Sequence, residues 1–369
     1  MNIWQKLKKP IFALAPMEDV TDTVFRQIVA KYARPDVFFT EFTSSDTICS
    51  EGLYDGLKRL VYTENERPIV AQIWGVTPEH YYESSKQIAQ MGFDGIDINM
   101  GCPVRDIIKK GACSALIKNK PLAKEIIQAV KEGIHHGCHP ELVLRYTQDP
   151  ELAEWVSGSR LNKMLKRVQH DNKKKNSECK KCIPVSVKTR IGFAEIQTEE
   201  WVGFLLEQKI DCLMIHGRTV REMSKFPVHW DEIGKAVRLR NKMGITTPIL
   251  GNGDILSYEE GLEKIKTYGL NGIMIGRGVF QNLFVFDQNK DFRTLPINKK
   301  LEVLQEHIDL YENTWKGKKS YNVLKKYFKM YVSGFDGASD MRGKLMETKS
   351  PGEARKIIKE IHNDLSSRA

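Results

Sequence analysis

Eight short runs of apolar and β-branched residues recur along the first three quarters of the chain, and each lies against glycine, amide or charged residues. They begin near Pro10 (PIFALAPM), Asp36 (DVFFTEF), Pro68 (PIVAQIWG), Gly95 (GIDINMGCP), Ile183 (IPVSVKTRIG), Cys212 (CLMIHGRT), Pro248 (PILGNGDI) and Gly272 (GIMIGRG). Runs of this length, separated by longer amphipathic stretches, are the pattern of parallel strands joined by helical crossovers. The spacers carry helix signals, such as Thr77-Pro78-Glu79, where a capping hydroxyl and a proline suit the first turn. Eight units fit an α/β architecture of the closed (β/α)8 TIM barrel type better than an open doubly wound sheet.

With 369 residues, the chain exceeds the roughly 250 that such a barrel needs, so a second unit is expected. From about residue 295 the strand pattern stops and apolar residues recur at helical spacing (LEVLQEHIDLYENTW, YNVLKKYFKMYV, EARKIIKEIHNDL). The expected division is a catalytic barrel over 1–294 and a C-terminal helical domain over 295–369. Residues 299–369 hold 15 Lys and Arg against 10 Asp and Glu, about half of the chain's net charge of +10. Such an excess suits an anionic partner. Tyr321, Tyr327, Phe328 and Tyr331 lie among Lys325, Lys326 and Lys329, which leaves two readings: an RNA-facing surface, or a helix with its aromatics in the core and its lysines in water.

Residues 135–182 break the rhythm, since a helix-to-strand connection normally takes about 2–6 residues. They read as an insertion ending in a basic polar run, and its place before the fifth strand puts it at the N-terminal face of the barrel, away from chemistry. Cys179 and Cys182, with Cys138 and His139, supply zinc-type ligands, but a single CxxC pair favours a solvated loop, and no metal is expected. The apolar run Ile11–Met17 is too short to span a membrane and has no cleavage signal. Seven cysteines without disulfide-type spacing suit a reducing compartment, so the expected location is cytoplasmic; a monomer is expected, though no sequence feature decides it.

Barrel enzymes build their sites from the C-terminal ends of the strands. The seventh run ends Gly251-Asn252-Gly253-Asp254 and the eighth Gly276-Arg277-Gly278, two successive glycine loops with an arginine, which point to a phosphate-bearing ligand. Lys188 and Arg190 end the fifth run, and His216 and Arg218 the sixth. A cationic cluster above a phosphate site suits a flavin, whose reduced ring carries negative charge. Gln72, placed at the end of the third strand, is a candidate partner for the ring's carbonyl edge, with Pro16 and Met17 packing on its face. A structural ion pair for Lys188 and a core imidazole for His216 are the plainer alternatives. Cys102, in Asn99-Met100-Gly101-Cys102-Pro103, is a candidate general acid; an ordinary thiol, pKa about 8.5, is mostly protonated at neutral pH. Cys113 is a rival that spacing alone does not exclude.

These residues together resemble the tRNA-dihydrouridine synthase family. The matching motifs are APMEDVTD at Ala15–Asp22, QIWG at Gln72–Gly75, DINMGCPV at Asp97–Val104, KKGACSAL at Lys109–Leu116, VKTRIG at Val187–Gly192, IHGRT at Ile215–Thr219, GNGDI at Gly251–Ile255 and IGRG at Ile275–Gly278. The tail also resembles the family's RNA-binding helical domain at Lys326–Met346. The resemblance implies an FMN-dependent reduction of uridine to dihydrouridine in tRNA. FMN is reduced by NADPH, hydride passes to C6 of the uracil, and Cys102 protonates C5. It implies that Asn99 and Arg190 hold the uracil and that Lys188 and His216 contact the flavin. Pro16, Met17, Glu18, Gln72, Asn252, Gly253, Asp254, Gly276 and Arg277 would complete the FMN site. Two features depart from the family pattern: the insertion at 135–182, and Cys113 in a segment that is usually glycine-rich. Two other readings remain: a Schiff-base aldolase using Lys188, and a non-catalytic RNA-binding module.

Overall fold

The structure, a computed structural model, describes residues 2–50, 53–137 and 182–368. Its strands are β1 (Ile11–Leu14), β2 (Phe38–Phe39), β3 (Thr43–Ser44), β4 (Ile69–Trp74), β5 (Gly95–Met100), β6 (Val185–Arg190), β7 (Cys212–His216), β8 (Ile249–Asn252) and β9 (Gly272–Ile275). All pair in parallel, in the order β1-β9-β8-β7-β6-β5-β4-β2, with β3 also on β4. The ring closes through a bridge between Ala13 and Val37. Two backbone bonds reinforce it, Leu14 N–H to the Val37 carbonyl at 3.1 Å and Asp36 N–H to the Phe12 carbonyl at 2.8 Å. Eight strand positions thus form a nearly closed TIM barrel, as the run count predicts.

The second run differs from expectation in being broken into β2 and β3. Thr40 is the cause: its hydroxyl donates to the Glu41 carbonyl at 2.8 Å and accepts from the Gln72 N–H at 3.1 Å. A side chain therefore takes a ladder bond that a backbone carbonyl would otherwise make, and pairing lapses for that stretch.

Period-two alternation decides what fills the barrel. One set of strand residues, Ile11, Ala13, Phe39, Val70, Cys212, Met214, Leu250 and Met274, forms a small apolar cluster sealed by Trp4 of the N-terminal helix Ile3–Lys6. Further along the same strands toward their C-terminal ends, that inward set turns polar: Gln72, Asp97, Asn99, Ser186, Lys188, His216 and Asn252. The opposite set, including Ile96, Ile98, Val187, Leu213 and Ile273, packs into the outer core. The interior is thus oil at one end and chemistry at the other.

The helix Lys120–Gly137 runs three residues into the expected insertion. Residues 138–181, including Cys138, His139 and Cys179, lie outside the described residues. Cys182 is exposed and leads into the N-terminal end of β6, opposite the polar end of the barrel. Among the described residues no three His, Cys, Asp or Glu side chains gather as a metal site would require. No helix among them is long and apolar enough to cross a membrane.

After β9 the chain is helical: Ile297–Trp315, a 3₁₀ segment Tyr321–Tyr327, Phe328–Tyr331, Ala338–Glu347 and Pro351–Arg368. Here the plain reading of the aromatics holds. Tyr327, Phe328 and Tyr331 are buried, and Tyr327 stacks on Phe25 with centroids 4.9 Å apart. Several of the lysines are tied down as well. Lys319 lies 3.0 Å from Asp22 and 3.4 Å from Glu41, and Lys326 lies 3.2 Å from Asp19. The helix Ile297–Trp315 ends on Lys316, whose φ of 44° is left-handed, a conformation that suits glycine. Lys316→Gly is therefore expected to raise stability by about 0.5–1 kcal/mol, read as a higher midpoint in thermal unfolding; a lower midpoint would contradict it.

Candidate active site

The C-terminal ends of β6, β7, β8 and β9 surround a cavity of about 660 Å³. Of the residues singled out from sequence, it gathers Pro16 and Met17 after β1, Lys188 and Arg190 of β6, and His216 of β7. Asn252, Gly253 and Asp254 after β8 and Gly276 and Arg277 after β9 complete the set. Gly253 has φ of 143° and a Cβ there would sit 2.8 Å from Val228, so both backbone and packing demand glycine. At Gly278 a Cβ would lie 2.2 Å from the Ile255 carbonyl, which is how the two glycine loops come together.

The cationic groups are held differently. Lys188 donates to the Asn252 side chain at 3.1 Å, and Asn252 donates onward to the Met274 carbonyl at 2.8 Å. Burial, then the neighbouring Arg190, pushes the Lys188 ammonium down to about 8, so it remains mainly charged at neutral pH. His216 is pushed well below its ordinary value by burial and by Arg190, Lys188, Arg218 and Arg277, and is a neutral imidazole. Asp254 binds both Arg218 and Arg277, the latter at 2.7 Å. Its carboxyl is held below the usual range by the Arg218 hydrogen bond first. Two guanidiniums sharing one carboxylate leave a net positive charge beside the glycine loops. Arg218 is buried and Arg277 largely exposed; the sequence reading noted Arg218 only as a strand end, because its partner Asp254 is 36 residues away.

Four of the residues picked from sequence lie outside the cavity lining. Gln72 sits inside β4, two residues before its end, rather than at the tip expected. It is fully buried, donating to Asp97 at 2.7 Å and accepting from Asn99 at 3.0 Å. Asn99 in turn accepts from the N–H groups of Gly101 and Cys102, each at 3.0 Å. A hydrogen-bonded chain Asp97–Gln72–Asn99 therefore pins the turn that carries Cys102. Asp97, which sequence reasoning left unassigned, also accepts from Ser186 at 2.7 Å, and burial pushes its carboxyl up to about 7. Glu18 faces Arg59 instead, at 2.7 Å.

Cys102 is partly buried at the end of β5. Arg190, buried, holds this loop from the other side: it donates to the Gly101 carbonyl at 2.8 Å and to the Thr219 and Met223 carbonyls at 3.0 Å. The Cys102 thiol is pulled down to about 7, first by a hydrogen bond from Cys113, against its burial, and then by the Val104 N–H, Arg190 and Lys188. These neighbours make Cys102 a stronger acid than the ordinary thiol of the sequence reading. Cys113 itself is buried, and its thiol is pushed well up by burial. Of the two cysteines, Cys102 is partly buried and Cys113 fully buried.

A parallel barrel with a cationic cavity at the C-terminal ends of its strands has the layout of a barrel enzyme. The family described as "Dihydrouridine synthase (Dus)" matches residues 13–140 and 158–367. The chain belongs to the dihydrouridine synthase family and is an enzyme. It is 41% identical over 98% of its length, and 95% of the other's, to a probable tRNA-dihydrouridine synthase of Staphylococcus aureus strain MRSA252. A probable tRNA-dihydrouridine synthase of Staphylococcus epidermidis strain RP62A is 39% identical over 100% of this chain and 98% of the relative. Probable tRNA-dihydrouridine synthase 2 of Bacillus subtilis strain 168 is 39% identical over 97% and 95%. The chain also shows 11% identity and a TM-score of 0.37 to the crystal structure of DHODH with ferulenol from Eimeria tenella, over 64% of this chain and 56% of that one. Nothing is concluded from so slight a likeness.

Proposed function

We propose that this enzyme reduces uridine to 5,6-dihydrouridine in tRNA, with FMN in the cavity and NADPH as the reductant, in the cytoplasm and as a monomer. The observation that carries this reading is the donor set around the cavity. Backbone at Gly253 and Gly278, with Arg277, suits a terminal phosphate. Lys188 retains its proton beside a neutral His216, which suits a ring system that gains negative charge. The residues present therefore fit FMN: Arg277, Gly253, Asp254 and Gly276 would hold its phosphate end. Lys188, His216, Asn252, Pro16 and Met17 would line its ring, with Glu18 and Gln72 completing the shell. When bound, the cofactor supplies the hydride for C6 of the base.

The chain's own residues do the rest. Cys102 holds the proton that goes to C5, and Arg190 and Asn99 fix the loop that presents it while offering polar edges to the uracil. Closing such a site requires the base to leave its stack. Phe226 and Met223, 54% and 45% exposed, and Val104, 50%, give the mouth an apolar rim on which neighbouring bases can rest. The helical region 295–369, with its excess of basic residues, is assigned the tRNA-binding role and the segment 1–294 the catalytic one.

The purified protein is expected to be yellow, to release FMN on denaturation, and to form dihydrouridine in tRNA when given NADPH, followed by mass spectrometry of nucleosides. A colourless protein that borohydride traps on a carbonyl substrate would replace this reading with the Lys188 aldolase. Flavin and RNA binding without NADPH oxidation would point to the non-catalytic module.

A further inference from the structure

We propose that Asp97 is a positioning residue for the reaction: a buried acceptor that fixes the direction of the Gln72 and Asn99 amides, and through them both the turn bearing Cys102 and the group that Asn99 offers the base. The inference rests on Asn99 contacting the uracil. The side chains concerned share the inward face of three neighbouring strands. Gln72 of β4 is in register with Asp97 of β5, and Asp97 with Ser186 of β6, while Asn99 lies two residues further along β5. Gln72, Asp97 and Ser186 are fully buried and Asn99 nearly so. Their polar atoms must therefore find partners among themselves.

An amide oxygen accepts and an amide nitrogen donates, so the partners decide which way the group points. Here both ends of the chain give the same answer. At one end Asp97 accepts from the Ser186 hydroxyl and from Gln72 Nε2, each at 2.7 Å, which turns Gln72 Oε1 toward Asn99. Asn99 donates to that oxygen from Nδ2 at 3.0 Å. At the other end the Gly101 and Cys102 N–H groups, which only donate, each meet Asn99 Oδ1 at 3.0 Å. Of the four bonds that the Asn99 amide can form, three are made, and the one left is an N–H. That hydrogen suits a carbonyl oxygen: uracil has one at C4, where cytosine carries an amine that also donates. An ionised carboxylate at 97 only accepts and so makes the relay one-way, whereas an amide there would admit either direction.

The test is a double-mutant cycle on the flavin-loaded protein, read by urea unfolding at pH 8. Asn99→Asp alone sets an acceptor against an acceptor, at Gln72 or, if Gln72 turns over, at Asp97. It is expected to raise the unfolding constant roughly 10–100-fold. Adding Asp97→Asn lets the whole relay reverse: the amide then at 97 donates to Gln72, Gln72 donates to the carboxylate at 99, and most of the loss is regained. With Gln72→Met in all four proteins the relay is cut, and the coupling between 97 and 99 is expected to vanish, the effect of Gln72→Met itself cancelling within the cycle. Coupling that survives Gln72→Met is plain repulsion between two carboxylates, and losses that merely add mean that no direction is passed along; either result overturns the proposal. The reversed pair restores the turn but offers the base only acceptors, so its dihydrouridine formation is expected to stay about 10²-fold below the parent. A reversed pair as fast as the parent would instead remove the reading that Asn99 contacts the uracil.

Discussion

Cys102→Ala is expected to form dihydrouridine about 10²–10⁴-fold more slowly than the parent while keeping its flavin and its affinity for tRNA. The size follows from removing a positioned acid, worth roughly 3–5 kcal/mol of barrel chemistry at these rates. The selectivity follows from placement. Cys102 lies outside the lining of the cationic cavity, and its turn is held by Asn99 and Arg190 through backbone atoms that alanine also has. Neither the cavity nor the loop should therefore notice the substitution. Single-turnover oxidation of the reduced flavin by tRNA isolates this step from reductant binding. If that rate stays at the parent value, the proton comes from elsewhere and Cys102 has no part in catalysis.

The same residue fixes the pH response. A donor must carry its proton, so with the thiol at about 7 the fraction able to act falls as pH rises through that value. The rate should therefore decline on the alkaline side in the parent, and that limb should vanish from whatever residual activity Cys102→Ala retains.

The strands and the glycine loops were legible in the sequence because each is a local signal. Apolar runs of strand length, and glycines at fixed offsets after them, need no partner to be recognised. The run DVFFTEF shows the limit of that reading: its break turns on Thr40 bonding to Gln72, 32 residues away. The same holds for Asp97, which reads as one more strand residue until Gln72 and Ser186 are seen to share it. Gln72 was picked for a cofactor role and Asn99 for a substrate role, yet both also belong to this internal chain. A polar residue on an inward face has neighbours on adjacent strands, and period-two spacing names the face but not the neighbour. Charge counting had a similar blind spot in the tail, where the basic residues Lys319 and Lys326 serve the barrel rather than an outside partner.

That docking lies close to the cavity. In the run Pro16–Asp22 the first residues line the cavity and the later ones receive the tail: Val20 accepts from Tyr327, and Asp22 accepts from Trp315 at 3.1 Å and Lys319 at 3.0 Å. Thr21 cross-links the two halves, its hydroxyl accepting from the Met17 N–H at 2.9 Å. The helical region is thus joined by a few hydrogen bonds to residues that line the cavity.

Lys319→Met tests the joint most severely. Lys319 lies between Asp22 and Glu41, each only 2% exposed, and also sits 5.2 Å from the Trp315 ring centroid. Removing the cation strands two buried carboxylates, which is expected to cost about 3–5 kcal/mol. The loss depends on pH in a set direction. Burial already pushes Glu41 up to about 7 from an ordinary 4.5, with Lys319 the chief influence holding it down. A raised folded value means that the folded state binds the proton more tightly than the unfolded one. The contribution is therefore full below about 4.5 and is lost as pH rises through about 7. Without Lys319 the folded value climbs further and the penalty keeps growing past 7. Urea unfolding of parent and variant should therefore differ more at pH 8 than at pH 5, the Glu41 part of the loss being added at the higher pH, with a fall in tRNA affinity accompanying it. An equal deficit at both would mean that Lys319 acts through its packing on Trp315, and the charge-based account of how the tail is held would fail.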